Sequence, residues 1–489
     1  MRSYINLVRL FQLSNRGYAI QALSCLLFSV AYSFSPKGAV EDLTEIEGVI
    51  NDYAVVNTIL HECTDHLVVD DVSSFFAGDR VLLIQMKGAV VNLENSVSFG
   101  TITSIESAGN YELATVMDII GSTIILEERL NRDYDPTAVL QLVRVPEYED
   151  VQIVGELTCS PWNGSTGGVL AFEASGTITL SADIDVSGRG FRGGAPSLNG
   201  YICDHFVYFE SYPVSSSGQK GEGIAILNIT HQSARGKSAN GGGGGNQTNS
   251  GGGGGAGFGN GGLGGDEWGG CGQDPIGGEP GNELAPYFNE EKLFLGGGGG
   301  GGDQNDGVGS AGGNGGGIVL ISGMAIQGNG FRIKANGESA ALGRNDGGGG
   351  GGAGGSILIN CLDWLSSLML EAKGGNGANV DSNHGPGGGG GGGFVGLSPA
   401  SIPLNLSAIL DEGNNGVNGF NNWGALAGAP GGVLLNQSLA LASLVEPGIQ
   451  VQSLGTIQLC QGDSVDVFGN FESEAGEYFQ VYSAANGCD

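Results

Sequence analysis

Histidine and basic side chains are the scarcest chemistry in this sequence. Its 489 residues hold five histidines, and 19 Lys and Arg stand against 51 Asp and Glu, a formal net charge of −32. Nucleic-acid binding draws on a basic stripe that releases counterions from phosphates; no such stripe exists, so that class is excluded. No cysteine pair has the Cys-x-x-Cys spacing of a zinc site. None of the long glycine runs is followed by Gly-Lys-Ser/Thr, so none is a phosphate loop. His61-Glu62-Cys63-Thr64-Asp65-His66 holds two histidines without the helical HExxH spacing and reads as a turn between strands. Asn163-Gly164-Ser165-Thr166-Gly167 departs from the Gly-x-Ser-x-Gly nucleophile elbow. Asp183 and Asp185 point to one face of a strand, where carboxylate pairs serve glycan hydrolysis, but a solvated outer face is the commoner reason for such a pair. The sequence therefore offers no catalytic, cofactor-binding or metal-site residues, and the chain is read as a non-enzyme. Its acidity would suit loosely held Ca²⁺ on Asp/Asn-rich turns, although no loop has the EF-hand or Ca²⁺-nonapeptide spacing.

What is present begins with an export signal. Arg2, Arg9 and Arg16 flank a short apolar run, Tyr18 to Ala31, ahead of a small-residue site at Ala31-Tyr32-Ser33. Basic n-region, apolar h-region and small-residue site describe a secretory signal peptide over residues 1–33. The run is interrupted by Gln21 and Ser24 and is short for a membrane span, and no later stretch is long and apolar enough to cross a bilayer. Of the cysteines beyond it, Cys460 and Cys488 form the most natural disulfide, with Cys63 and Cys159 a weaker pairing, as an oxidising compartment permits.

Glycine is the outlier, 96 of 489 residues, against a usual share of about 7%. Its distribution is periodic. Small residues lead into apolar runs at Ile318-Val319-Leu320-Ile321, Ile357-Leu358-Ile359, Phe394-Val395 and Val433-Leu434-Leu435, whose starts lie 39, 37 and 39 residues apart. A second semi-apolar run follows each of the first three: Phe331 to Ala335, Leu368 to Ala372 and Leu404 to Ile409. Paired strands at a fixed period cannot bury their apolar faces alone, so neighbouring units must stack into a continuous core. Glycine runs at a fixed phase of such a repeat suit extended threefold helices packed side by side. The run Gly241–Asn260, outside that phase, reads instead as flexible linker. The stretch Gly167-Gly168-Val169-Leu170-Ala171-Phe172 through Ser187-Gly188 is an earlier copy, separated from the rest by an insertion at about 195–311 in which Ile224 to Leu227 is strand-like. Upstream, Arg80 to Gln85, Tyr111 to Val116, Thr123 to Leu126 and Val139 to Val145 read as strands of a small barrel or sandwich.

The runs Gly78-Asp79-Arg80-Val81-Leu82-Leu83-Ile84-Gln85-Met86-Lys87-Gly88, Leu142-Val143-Arg144-Val145-Pro146, Trp162 to Phe172 and Asp185 to Gly194 resemble the large glycine-rich surface and adhesin-like proteins that gliding Gram-negative bacteria secrete. The tail, Cys460-Gln461-Gly462-Asp463-Ser464 through Asn486-Gly487-Cys488-Asp489, resembles the Ig-like modules of proteins exported by the type IX pathway, cut off before its last strands. The resemblance implies export, surface display and engagement of a secretion machinery, and supplies no catalytic residues. The expectation is an all-β chain. A signal peptide (1–33) precedes an N-terminal β-barrel or sandwich (34–155), a Gly-rich repetitive β-solenoid or β-sandwich with polyglycine loops (156–446) and the start of an Ig-like module (447–489). The expected role is surface attachment, gliding or filament assembly, with self-association or surface polysaccharide as the partner. The alternative is a polysaccharide hydrolase or lyase on a β-helix. Trp162, Trp268, Trp364 and Trp423 offer rings that could stack on sugars, although core packing is their commoner use.

Overall fold

Two large β-sheets, two small two-stranded ones and a mass of glycine backbone make up the computed structural model, which describes residues 43–381, 383–443, Val465–Val467 and Asn470–Glu472. The expected signal peptide, the Cys460–Cys488 pairing and all but one hairpin of the expected Ig-like module lie outside the described residues.

The N-terminal strands form a six-stranded antiparallel sheet in the order Tyr53–Val55, Leu140–Val145, Arg80–Gln85, Tyr111–Ile120, Thr123–Leu126, His66–Val68. The Tyr111–Ile120 and Thr123–Leu126 strands meet as a hairpin around Gly121. Leu82 and Ile84 face one apolar cluster and Val81 and Leu83 another, so the central strand is buried on both faces.

The larger sheet is parallel and curls into two ladders. A long ladder stacks Val169–Leu180, Ile318–Gln327, Ser356–Ser366, Phe394–Leu397 and Gly432–Leu434. A short ladder stacks Ile184–Asp185, Arg332–Lys334, Leu368–Glu371 and Leu406–Ile409. Thr44–Val49 and Val151–Thr158 join the ladders where the chain enters them. Val319, Ile321, Ile357 and Ile359 pack toward the short ladder, while Ile318, Leu320 and Leu358 pack toward the N-terminal sheet and Phe288, Phe294 and Phe394. A parallel strand covered on both faces needs an unbroken apolar run, which is why Ile318-Val319-Leu320-Ile321 does not alternate.

Between one strand pair and the next, each turn of chain leaves the sheet on one glycine-rich leg and returns on another. The legs 335–343, 372–380 and 410–417 run outward from the short ladder; 310–317, 347–355 and 385–393 run back to the long one. Each leg bonds its neighbours at every third residue. In 347–355, the N–H groups of Gly348, Gly351 and Gly354 donate to Gly385, Gly388 and Gly391; those of Gly347, Gly350 and Ala353 donate to Asp303, Gly300 and Gly297. Gly352 and Gly355 donate to Glu338 and Ala335 on a third side. An extended chain of about three residues per turn has no internal hydrogen bonds, so these lateral bonds satisfy its buried polar backbone.

The expectation of a linker at Gly241–Asn260 is overturned. Every residue from Ser238 to Gly257 is buried, with Gly242 donating to Gly298, Gly245 to Gly301, Gly252 to Gly348 and Gly255 to Gly351. The 195–311 stretch is inserted between ladder strands 149 residues apart, yet its glycine segments lie inside the bundle. Composition alone could not distinguish this, because the partners that turn a floppy glycine run into a packed leg come from remote sequence. Ile224 to Leu227 is no strand; Ala225 makes a single bridge to Ala89. Amides of residues 242–257 are accordingly expected to exchange as slowly as those of Ile318 to Ile321. Hydrogen-exchange mass spectrometry giving coil-like uptake across 242–257 would refute the packed arrangement.

Candidate functional site

The outer ends of the glycine legs carry the loops, on the side away from the ladders, and these loops are knitted to one another. Thr248 exchanges bonds with Ile202, and its carbonyl accepts from the Trp268 N–H at 2.9 Å. Gly269 N–H donates to Asn383 O and Gly385 N–H to Asn249 O. Asp266 N–H donates to Trp423 O, and the Trp423 Nε1–H returns a 3.0 Å bond to Glu267 O. Asn418 Nδ2–H donates to His384 O, and Asp346 accepts the N–H groups of Asn305, Asp306 and Val308. A Cys203–Cys271 disulfide ties two of the loops together.

Three rings sit in this cap. Tyr201 is 59% exposed and meets Trp268 edge-on with centroids 6.0 Å apart; Trp268 and Trp423 are half-buried. Phe420, shortly before Trp423 in sequence, projects fully into solvent. Asp266, Glu267 and Asp274 accompany the rings. Burial pushes the Asp266 carboxyl up to about 6, with the charge of Asp274 adding to the effect. Burial also raises Glu267, and the charges of Asp274, Asp204 and Asp266 reinforce it. Rings held by bonds to neighbouring loops, with acceptors around them, can stack on and hydrogen-bond a polyhydroxyl ligand.

A concavity of about 560 Å³ lies where the N-terminal sheet meets the long ladder, lined by Arg80, Glu173, Ser322, Asn360, Ser398 and Gln437 among others. Glu173, Ser322 and Asn360 are lateral neighbours in register on successive strands. Burial raises the Glu173 carboxyl, which Arg80 opposes. Arg80 is committed to Glu173 at 3.2 Å and Glu128 at 3.5 Å. Glu173 is the one carboxylate lining the groove, which is half of the pair that glycoside hydrolysis uses.

The candidates raised by the sequence do not assemble into one site. His61 and His66 are exposed, each beside its own carboxylate, Asp133 and Asp65. Asp183 and Asp185 both face Lys334, at 2.7 and 3.4 Å, in an ion-pair ladder that continues through Arg332, Glu371 and Lys373. Among the described residues no cluster of three or more His, Cys, Asp or Glu side chains suits a metal. The Cys63–Cys159 pairing is overturned: Cys159 is a free thiol buried in the ladder core beside Leu157 and Val186, while Cys63 takes part in a different disulfide. Trp162 is core, packed edge-on against Phe191 at 5.8 Å. Tyr201, Asp266 and Glu267 were not singled out by sequence; the signal that could have found them is their place in polar and aromatic islands between glycine runs.

No protein-family model matches the chain, and no curated protein does. Among solved structures it is similar to the Gp54 tailspike of Acinetobacter baumannii bacteriophage AP22, in complex with A. baumannii capsular saccharide. The identity is 9% and the TM-score 0.16, over 79% of this chain and 57% of that one. It is also similar to the tailspike protein gp49 from Pseudomonas phage LKA1, at 8% identity and TM-score 0.16, over 81% of this chain and 67% of that one. Likeness at that TM-score carries no argument about fold or activity.

Proposed function

We propose that this chain is a secreted, cell-surface structural and adhesive protein. In this reading a small N-terminal β-barrel and a Gly-rich β-solenoid form a stiff base, and the loop cap at the far end binds surface polysaccharide. The observation that carries it is the cap itself: loops remote in sequence converge on the outer ends of legs whose backbones are bonded on three sides. Binding residues commonly sit on loops positioned by a rigid scaffold, and a cap ordered before binding loses little entropy when ligand arrives.

The test is binding of the full chain to a panel of bacterial surface polysaccharides. Trp268→Ala and Tyr201→Ala are each expected to weaken binding about tenfold, or about 1.4 kcal/mol, with the hydrogen-exchange protection of the legs unchanged. Binding that survives both substitutions would remove the cap from the reading, and no binding across the panel would remove the ligand class. The polysaccharide-acting enzyme has one observation in its favour, the raised Glu173 carboxyl in a polar groove. It predicts new reducing ends that disappear in Glu173→Gln.

A further inference from the structure

Beneath the cap, where the leg 251–257 begins, lies a set of buried oxygens with no hydrogen-bond partner. Asp303 is 1% exposed, Asn249 2% and Gln247 1%. Asn249 Oδ1 and both Oε1 and Nε2 of Gln247 find no partner among the described residues, and Asp303 Oδ2 has at most the nearby Ser197 hydroxyl, in a contact short of good hydrogen-bond geometry. Asp303 and the 247–250 turn are fastened together. Asp303 Oδ1 accepts the Asn249 N–H at 2.9 Å, and the Asp303 N–H donates to Ser250 O at 3.0 Å. Asn249 Nδ2–H donates to Asn305 Oδ1 at 3.0 Å, which lays the Asn249 side chain along 303–305 and leaves its oxygen as the unengaged end. The turn is sharp, with Gln247 and Asn249 at φ of 77° and 62°. Leaving several buried acceptors unsatisfied is costly, and native interiors rarely do so.

We propose that the 247–250 turn and Asp303 form a buried site for one divalent cation of the calcium class, with Asp303 Oδ2, Asn249 Oδ1 and Gln247 Oε1 as its side-chain ligands. One carboxylate and two carboxamide oxygens are hard donors of the kind Ca²⁺ takes. Two of its three donors are neutral, so the site contains no acidic cluster. The surrounding charge favours a cation: burial pushes Asp303 well above the usual carboxylate range, the Asn249 amide and the Ser197 hydroxyl draw it part of the way back, and the charges of Asp346 and Glu210 add to the cost of leaving it bare. With a single carboxylate the affinity belongs to the weak class of extracellular modules, a Kd of about 10⁻⁴–10⁻³ M. The ion would fasten the 247–250 turn to the 303–305 loop, and through the Asn249 carbonyl and Thr248 to the loops at Gly385 and Trp268. It stands independently of whether the cap binds polysaccharide.

The experiment uses the full chain stripped with a chelator, followed by calcium titration in a calorimeter and by thermal unfolding in EDTA or millimolar calcium. Expected are one saturable site per chain and a higher unfolding midpoint in calcium. Both are lost in Asp303→Asn and kept in Glu94→Gln, an exposed-acid control. Wild-type protein with no saturable heat and the same midpoint in both buffers would overturn the site, as would an Asp303→Asn protein that responds like wild type. The first result would mean that a protonated Asp303 meets its neighbour without an ion, and the second that calcium is held elsewhere on the chain. Should Asp303→Asn fail to fold, the wild-type comparison decides alone.

Discussion

Gly300→Ala is expected to prevent folding of the glycine bundle, or to destabilise it by more than about 4 kcal/mol, the range reserved for gross disruption of a core. A methyl carbon at Gly300 would stand 1.9 Å from the carbonyl oxygen and 2.5 Å from the carbonyl carbon of Gly243. Both are backbone atoms, held by the bonds of Gly242 to Gly298 and Gly245 to Gly301, so nothing there can turn aside as a side chain would. Conformation is not the obstacle, since Gly300 is not among the glycines of positive φ. The informative control is Gly121 in the hairpin turn, where φ is 65° and a methyl would meet nothing within 4 Å. Gly121→Ala is expected to cost about 1 kcal/mol, the left-handed backbone penalty alone. Denaturant titration of the two variants separates crowding from conformational preference, and equal costs would contradict the packing described for the legs.

Replacing Glu222 is the second large effect. Its carboxylate is bound by Lys87 Nζ at 2.6 Å and Arg192 Nε at 2.8 Å, tying the N-terminal unit to the bundle. Burial alone would push this carboxyl up, but the two cations outweigh it and bring it down to about 2 from an ordinary 4.5. A carboxyl depressed in the folded state contributes stability that is full above the unfolded value and fades as pH falls toward the folded one. The contribution, about 3 kcal/mol, is thus present above pH 4.5 and lost between there and pH 2. Glu222→Gln leaves Lys87, whose side chain is 12% exposed, buried without its counter-charge, and should cost about 3–5 kcal/mol at neutral pH. It should also flatten the acid limb of the stability curve in that window. A variant with wild-type stability at pH 7 would show that the two cations find other partners.

The ladders were legible in the sequence because burial on both faces writes itself as continuous Val, Ile and Leu. The four run starts, at 318, 357, 394 and 433, belong to strands that pair side by side in the long ladder. The Tyr111–Ile120 hairpin was legible for a similar reason, its turn glycine flanked by β-branched residues. The bundle was legible only in part. Gly347–Gly352 and Gly387–Gly393 carried a phase, whereas Gly241–Asn260 carried none, and its partners at Gly298, Gly301 and Gly348 lie far along the chain. The cap was illegible for a stronger reason. Tyr201, Asp266, Trp268 and Trp423 are separated by up to two hundred-odd residues and meet only because the legs have a common length. Cys203 and Cys271 were legible as cysteines and not as a pair, since the seven cysteines from Cys63 onward leave the connectivity open.

The packed glycines of the legs admit nothing larger than hydrogen and so have few neutral substitutions to explore, while the tips they support touch chiefly one another. Inherited change in such a molecule is funnelled to the tips: lengthening or rewriting the 266–275 or 418–424 segments leaves the strut beneath them as it was. The same chassis can therefore be refitted for a new surface by editing a few short connections, without renegotiating how it folds.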